Sequence, residues 1–444
     1  MNMKNTISIL AGVLLASVAS GQDLTHKAPP QEVPIAIVDA TIHPVSSATI
    51  EKGWILFENG RITDMGAGQR PFNRMTRTIS GEGLHVYPGL IAASTQMGLN
   101  EHGAVAAAAD ASETGRFTPE VRAIVAVNPD STHIPVARSA GILTVGVFPT
   151  GGTIAGRVGV MSMDGWTWEE MALEQDAGLA VNWPNVRPIR ARWNDQSPEE
   201  QMRRVREDLR FIDDAFESAE AYVAARAEDP SQREDIRLEA MRGVLAGAGD
   251  GRGRVFISAQ DVDQITSAVM WAKERGVKAV IVGGRDAPLC ANVLVENGVP
   301  VIVRGTHSMP KRDDSPYDDA YTLPARLEAA GVTWCLASGE ESAHERNLPH
   351  HAGKAVAHGL SRDAAIRAIT LTPAEILGVA DRVGSLGKGM HATIMVTDGD
   401  PLEITTTVRF AFIEGRELDL TNKQTKLDEK YRERYRQRGE PPAN

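Results

Sequence analysis

Between residues 86 and 383, short apolar segments alternate with amphipathic segments that end at a glycine. The apolar segments have the length and composition of buried strands; they span residues 89–93, 142–148, 255–257, 279–282, 299–303 and 333–337. Three intervening segments are each followed directly by glycine, the residue that most readily closes a helix C-terminus; they span residues 262–275, 287–297 and 324–330. Strand, helix and glycine in regular succession predict parallel βα units, closed here into a barrel.

The two ends of the chain show a different pattern. Residues 33–85 contain short β-rich segments and the turn pair Asn59-Gly60, and residues 384–420 contain two more alternating segments with a turn at 414–416. Short alternating strands with such turns are typical of antiparallel sheets. The sequence therefore predicts one small β domain built from residues 33–85 and 384–420, with a barrel of residues 86–383 between them. The charged tail, residues 421–444, is expected to be a solvated helix or disordered.

The composition narrows the range of partners. The net charge is 47 − 58 = −11, which disfavours binding to a phosphate backbone, so no nucleic acid is expected. No segment after the N-terminus is long and apolar enough to predict a membrane span. Cys290 and Cys335 lie in apolar surroundings and outside any CxxC spacing, so two buried free thiols are favoured over a pair.

The N-terminus has the features of an export signal. Lys4 is followed by an apolar run over residues 7–18 and then by small residues. This run is too short to cross a bilayer. Residues 1–21 are therefore predicted to be a signal peptide, and the protein is expected to be periplasmic or secreted.

Several motifs resemble an amidohydrolase of the imidazolonepropionase-like type. The opening motifs are VDATIHP (38–44), GRITDMG (60–66) and VYPGLI (86–91). The closing motifs are NLP (347–349), AGKAVA (352–357), AITLTP (368–373), ILGVA (376–380), GSLGKG (384–389), DGDP (398–401) and FIEGR (412–416). The resemblance implies a distorted (β/α)8 barrel with a flanking β-sandwich. It also implies metal-assisted hydrolysis of non-peptide C–N bonds, in which zinc or another divalent ion activates water.

The resemblance places a pair of metal-binding histidines at i, i+2 on the first barrel strand. In this sequence Ser94 and Gln96 occupy the two positions, and Ala92 replaces the acidic residue before them. A neutral hydroxyl and a neutral amide are poor ligands for a catalytic zinc ion. Two further ligand positions, after the apolar segments 255–257 and 279–282, hold Ser258 and Gly284. No catalytic metal is therefore expected.

Six residues are expected to meet at the C-terminal mouth of the barrel, because each follows an apolar strand. Glu340 and His307 are the candidate catalytic residues, and the pocket candidates are Ser94, Gln96, Ser258 and Gly284.

Three hypotheses follow, and the sequence leaves open whether any activity remains. The favoured one is a degenerate hydrolase whose pocket still binds a small ligand or a partner. The second is an active hydrolase, either with a metal site rebuilt from His307, Glu340, His344 and His351 or with Glu340 as a metal-free base. The third is a structural subunit in an oligomer with an intact related amidohydrolase.

Overall fold

Two eight-stranded sheets organise the chain in the computed structural model, which describes residues 26–103, 105–188, 195–245 and 253–439. The predicted signal peptide lies outside the described residues. The strands are β1 (Ile35–Ile42), β2 (Ile50–Glu58), β3 (Arg61–Ala67), β4 (Arg77–Ser80), β5 (His85–Pro88), β6 (Leu90–Thr95), β7 (Ile142–Val147), β8 (Ile154–Ser162), β9 (Ala172–Asn182), β10 (Arg254–Ala259), β11 (Ala279–Gly283), β12 (Val301–Arg304), β13 (Trp334–Ala337), β14 (Ile394–Thr397), β15 (Val408–Ile413) and β16 (Arg416–Glu417).

The first sheet joins the two chain ends. Its order is β16-β15-β14-β5-β1-β2-β3, with β4 beside β1. The two halves meet where β14 pairs antiparallel with β5, from Ile394 opposite Pro88 to Thr397 opposite His85. Inward-facing side chains such as Ile37, Phe57 and Phe412 form its core.

The second sheet, β6 to β13, is the barrel. All neighbouring strands run parallel except β8, which is antiparallel to both β7 and β9. The last strand, β13, returns beside the first, β6. The fold predicted from the sequence, a distorted barrel with a flanking β domain built from both chain ends, is confirmed.

The sequence pattern missed β8 and β9. Glycines in β8 resemble a loop, but they make room for the segment that crosses the strand. A side chain at Gly156 would lie 2.7 Å from the Val121 carbonyl oxygen, and one at Gly159 would lie 2.8 Å from Ile124. A segment that crosses the strand so closely requires glycine at these positions. Their low β propensity therefore reflects packing and not the absence of a strand.

Eleven α-helices and five short 3₁₀ segments lie in the described part of the chain. They are α1 (His133–Arg138), α2 (Trp168–Met171), α3 (Pro198–Glu228), α4 (Ile236–Met241), α5 (Val262–Arg275), α6 (Ala291–Glu296), α7 (Asp319–Ala329), α8 (Leu348–Val356), α9 (Arg362–Ala368), α10 (Leu371–Leu377) and α11 (Lys423–Arg438).

The helix bounds follow local sequence signals. Ser197 caps α3 through a capping box with Glu200, and Gly276 ends α5 in the left-handed conformation. α7 begins five residues before the predicted start at 324, so Pro324 lies inside it. The tail helix α11 has no buried residue. Within the described residues, no helix has both the length and the apolar character that crossing a membrane would need.

Alternate positions of the barrel strands face two different cores. Phe256, Val282, Ile302 and Cys335 pack with α10 in the inner cluster. Residues of the other parity, such as Val301, pack with the outer helices. Cys335 and Cys290 are both buried and unpaired.

A buried carboxylate, Asp164, joins the two sheets. It follows β8 and accepts hydrogen bonds from Arg138 at 2.8 Å, from Arg416 at 3.0 Å and from the Ala28 backbone N–H at 3.2 Å. Arg138 and Asp164 are 2% and 1% exposed, so neither charge has water as an alternative partner. One side chain therefore links the N-terminal segment, the barrel and β16.

We expect Asp164→Asn to lower the free energy of unfolding by about 3–5 kcal/mol, because it leaves two arginines facing a neutral amide. Urea denaturation checks this. Asp428→Asn is the matched control: it removes an exposed pair with Arg432 and should change stability by less than about 1 kcal/mol. Equal effects of the two substitutions would contradict a joining role for Asp164.

Candidate functional site

A cavity of about 520 Å³ opens at the C-terminal mouth of the barrel. It lies where β6, β12 and β13 end, and its lining includes Ser94, Gln96, Arg304 and Glu340. Ligand sites of barrel proteins lie at this end of the strands. This cavity is therefore the candidate site.

Three side chains form a compact cluster beside the cavity. His351 Nε2 lies 3.0 Å from Glu340 Oε1, and His307 Nδ1 lies 3.5 Å from the same oxygen. The rings of His307 and His351 stack with centroids 3.8 Å apart. One candidate ligand atom from each residue lies within 4.8 Å of the others, close enough for the three to surround a metal ion.

The surroundings of His351 fix the position of its proton. Its Nδ1 accepts hydrogen bonds from the backbone N–H of Thr306 at 2.9 Å and from that of His307 at 3.3 Å. A nitrogen that accepts must be unprotonated, so the proton of the neutral ring is on Nε2, where it is donated to Glu340. Burial, followed by the charge of His307, lowers the pKa of His351, so the ring is neutral at pH 7.

Glu340 is held as a carboxylate. Burial opposes its ionisation, but the hydrogen bonds from Asn347 at 2.9 Å and from His351 at 3.0 Å, together with the adjacent His307 imidazole, outweigh burial and keep its pKa below the ordinary value. Each oxygen thus accepts one hydrogen bond, from Asn347 or from His351. Such a carboxylate is a stable acceptor and a weak base.

A second acid, Glu345, lies beneath the mouth between β6 and β13. Its side chain is fully buried, and neither carboxyl oxygen has a hydrogen-bond partner among the described residues. Burial, and to a lesser extent the charge of Glu340, raises the pKa of Glu345 to about 7. The hydroxyls of Thr95 and Ser338 lie close enough to offset part of this rise without a hydrogen bond of normal geometry.

The six residues selected from the sequence do not all line this cavity. Ser94, Gln96 and Glu340 line the cavity, and His307 lies against Glu340. The other two do not line this cavity. Ser258 is on β10, where its carbonyl oxygen accepts from the Trp183 N–H, and a side chain at Gly284 would meet Val301 at 2.4 Å.

Sequence reasoning missed four residues of the mouth, Arg304, Thr306, Glu345 and Asn347. A signal existed for Arg304 alone, since it lies two residues after the barrel-facing Ile302 and ends an apolar strand. The contact between Thr306 and His351 joins positions 45 residues apart, so no short sequence motif could predict it.

Comparison with known proteins bears on the fold. No family model matches the chain. A crystal structure of an amidohydrolase from Thermotoga maritima MSB8 superposes with a TM-score of 0.75 at 23% identity, covering 87% of this chain and 99% of that one. A prolidase complexed with N-methylphosphonate-L-proline superposes with a TM-score of 0.52 at 15% identity, covering 87% and 99%.

The chain has the amidohydrolase fold. A curated relative, amidohydrolase tasK from Hapsidospora irregularis, is 31% identical over 85 residues. That match covers 19% of this chain and spans only 9% of the relative's length.

The hydrogen bonds of His351 bear on whether the mouth could hold the metal that the amidohydrolase fold implies. For His351 Nε2 to bind a metal as a neutral imidazole, Nδ1 would have to carry the proton and face two backbone N–H donors. Without His351, the cluster would offer His307 and Glu340 as strong ligands, whereas a catalytic zinc ion needs about three. Ser94 and Gln96 supply neither of the missing ligands.

Two buried groups give the stability of the folded protein opposing pH dependences. Glu345 stays protonated in the folded state up to about pH 7, while in the unfolded chain it ionises near 4.5, so its contribution to stability falls as the pH rises through that window. His351 has a folded pKa below 6.5, so its contribution is lost as the pH falls below 6.5.

We expect Glu345→Gln to remove the opposing contribution of Glu345, so that the loss of stability caused by protonation of His351 becomes measurable. The free energy of unfolding of the variant should fall more steeply than that of the wild type between pH 6.5 and 4.5, by up to about 1.4 kcal/mol per pH unit. Thermal unfolding across this range measures it. The exposed Glu341→Gln should follow the wild-type curve, and parallel curves for Glu345→Gln would rule out the raised pKa.

Proposed function

We propose that this protein binds a small polar molecule at the barrel mouth and holds no catalytic metal, as a degenerate form of a metal-dependent hydrolase fold. The observation that carries the proposal is the hydrogen bonding of His351, whose Nδ1 is an acceptor for two backbone N–H groups. This geometry favours donation from Nε2 and therefore argues against His351 as a metal ligand.

The cavity itself supports ligand binding. Its volume of about 520 Å³ falls within the range of small-molecule sites. Ser94 and Gln96, at the positions of the family's histidine pair, present a hydroxyl and an amide to this space. Both groups can donate and accept hydrogen bonds, which suits recognition of a polar molecule.

Glu340 suits binding better than general-base catalysis. A general base works best when its pKa lies near the working pH. The hydrogen bond from Asn347 and the adjacent imidazoles instead lower the pKa of Glu340. The carboxylate is therefore an acceptor for a ligand N–H or O–H, and we assign it that role.

A rebuilt metal site is the second candidate function, and it would retain hydrolysis. The proximity of His307, Glu340 and His351, with ligand atoms within 4.8 Å of one another, favours it. It would require rearrangement of the loop that carries Thr306, so that His351 Nδ1 could carry a proton.

Two further features complete the proposal. The basic and apolar pattern of residues 1–21 supports export to the periplasm or beyond. If the protein served as a structural subunit, it would assemble with an intact amidohydrolase.

We expect the purified protein, after mild dialysis, to hold well under one equivalent of zinc, manganese or iron, because its mouth offers only two strong ligands. Elemental analysis by mass spectrometry measures this. Added zinc should leave the midpoint of thermal unfolding unchanged, since a ligand that does not bind the folded state cannot stabilise it.

Stoichiometric metal that is lost in His307→Ala and Glu340→Gln, but kept in His358→Ala, would establish the rebuilt site instead. His358 is the matched control because its Nδ1 contacts the Lys354 carbonyl oxygen, outside the cluster. Hydrolysis of amides or lactams that chelators do not affect would overturn the binding role in favour of a metal-free reaction.

A further inference from the structure

Arg304 is an arginine at the barrel mouth without a protein partner. It is the last residue of β12 and follows the barrel-facing Ile302 by two positions. Among the described residues its guanidinium makes no hydrogen bond and no ion pair, although carboxylates of Glu340 and Glu341 line the same cavity. The side chain is open to solvent through the cavity, yet the surrounding protein desolvates it enough to lower its pKa.

This side chain separates two cavities. It lines the mouth cavity and also a second cavity of about 460 Å³, which includes Gln260, Ser308 and Lys311. Neighbouring arginines already have carboxylate partners. Arg285 and Arg312 both contact Asp286, and Arg326 contacts Asp319.

The second cavity is therefore locally cationic. Its acid, Asp319, is paired with Arg326, and Lys311 has no partner among the described residues. An anionic group beside Arg304 would gain the two-pronged hydrogen bonding that a guanidinium offers to planar oxyanions. A doubly charged phosphate is disfavoured, because Glu101, Glu340 and Glu341 line the cavity on the other side of Arg304.

We propose that Arg304 binds the carboxylate of a small-molecule ligand whose remaining polar groups lie in the mouth cavity toward Glu340. This rests on the proposed function, since it names the chemical class of the molecule that the mouth binds. The carboxylate lies between the two cavities, and Lys311 adds a second positive charge. Ligands carrying both a carboxylate and an N–H or O–H donor suit the two ends of the site.

The test uses full-length protein dialysed against EDTA, so that bound metal plays no part. Ligand-observed NMR measures binding of acetate, N-acetylglycine, N-acetylproline and glutarate, with N-acetylglycinamide as the neutral match of N-acetylglycine. We expect at least one carboxylate to bind in the millimolar range and N-acetylglycinamide to bind at least about tenfold more weakly.

Substitutions locate the binding. Arg304→Gln should weaken carboxylate binding by about tenfold or more, and Arg304→Lys, which keeps the charge but loses the fork, by about threefold. Arg367→Gln, which removes an exposed partner of Glu375 elsewhere on the barrel, should bind as the wild type does. Thermal unfolding shows whether each variant is folded. If Arg304→Gln does not fold, the binding measured with Arg304→Lys tests the proposal by itself.

Three outcomes would overturn the proposal. They are no binding by any carboxylate at about 20 mM, equal binding of N-acetylglycine and its amide, and unchanged binding in both Arg304 variants. Tighter binding of inorganic phosphate than of every carboxylate would overturn the ligand class. A stoichiometric metal in the untreated protein would instead contradict the proposed function, but it would not affect the conclusion that Arg304 binds a carboxylate.

Discussion

The two backbone N–H groups that converge on Nδ1 of His351 set the arrangement of the whole barrel mouth. They belong to Thr306 and His307, in the loop after β12, while the ring belongs to α8 and its other nitrogen donates to Glu340, after β13. One imidazole thus connects two strand ends and a helix, and both of its nitrogens take part in hydrogen bonds. The hydrogen bond to Glu340 and the stacking against His307 both involve this one ring.

The charges at the mouth are distributed unevenly as a consequence. The hydrogen bonds to Glu340 come from neutral donors, the Asn347 amide and the His351 ring, so its negative charge does not need a guanidinium partner. Arg304 lines the same cavity and stays unpaired.

The sequence predicted those parts of the molecule that depend on local pattern. Apolar periodicity and glycine stops placed α5 at its observed bounds and identified the barrel, because strand and helix burial repeat along the chain. The pattern failed at β8, where Gly156 and Gly159 accommodate a crossing segment that only the tertiary structure reveals. At the mouth, the substitutions at Ser94 and Gln96 could be read from a resemblance. The environment of Glu345 could not, because its burial depends on β6 and β13 meeting.

Two glycines show why barrel closure and the site cannot be separated. Gly305, directly after β12, and Gly339, two residues after the end of β13, have φ of +68° and +69°. A side chain at Gly305 would lie 2.1 Å from the Ser338 carbonyl oxygen and 3.1 Å from the His351 ring, and one at Gly339 would lie 2.9 Å from the Arg304 backbone. The two strand ends therefore pass in direct backbone contact, which only glycine permits. That contact places Arg304 and Glu340 side by side on one cavity wall. The close packing that lets β13 return toward β6 thus places Arg304 next to Glu340 without pairing them. A ligand that carries both an anionic group and a hydrogen-bond donor can bridge the two side chains.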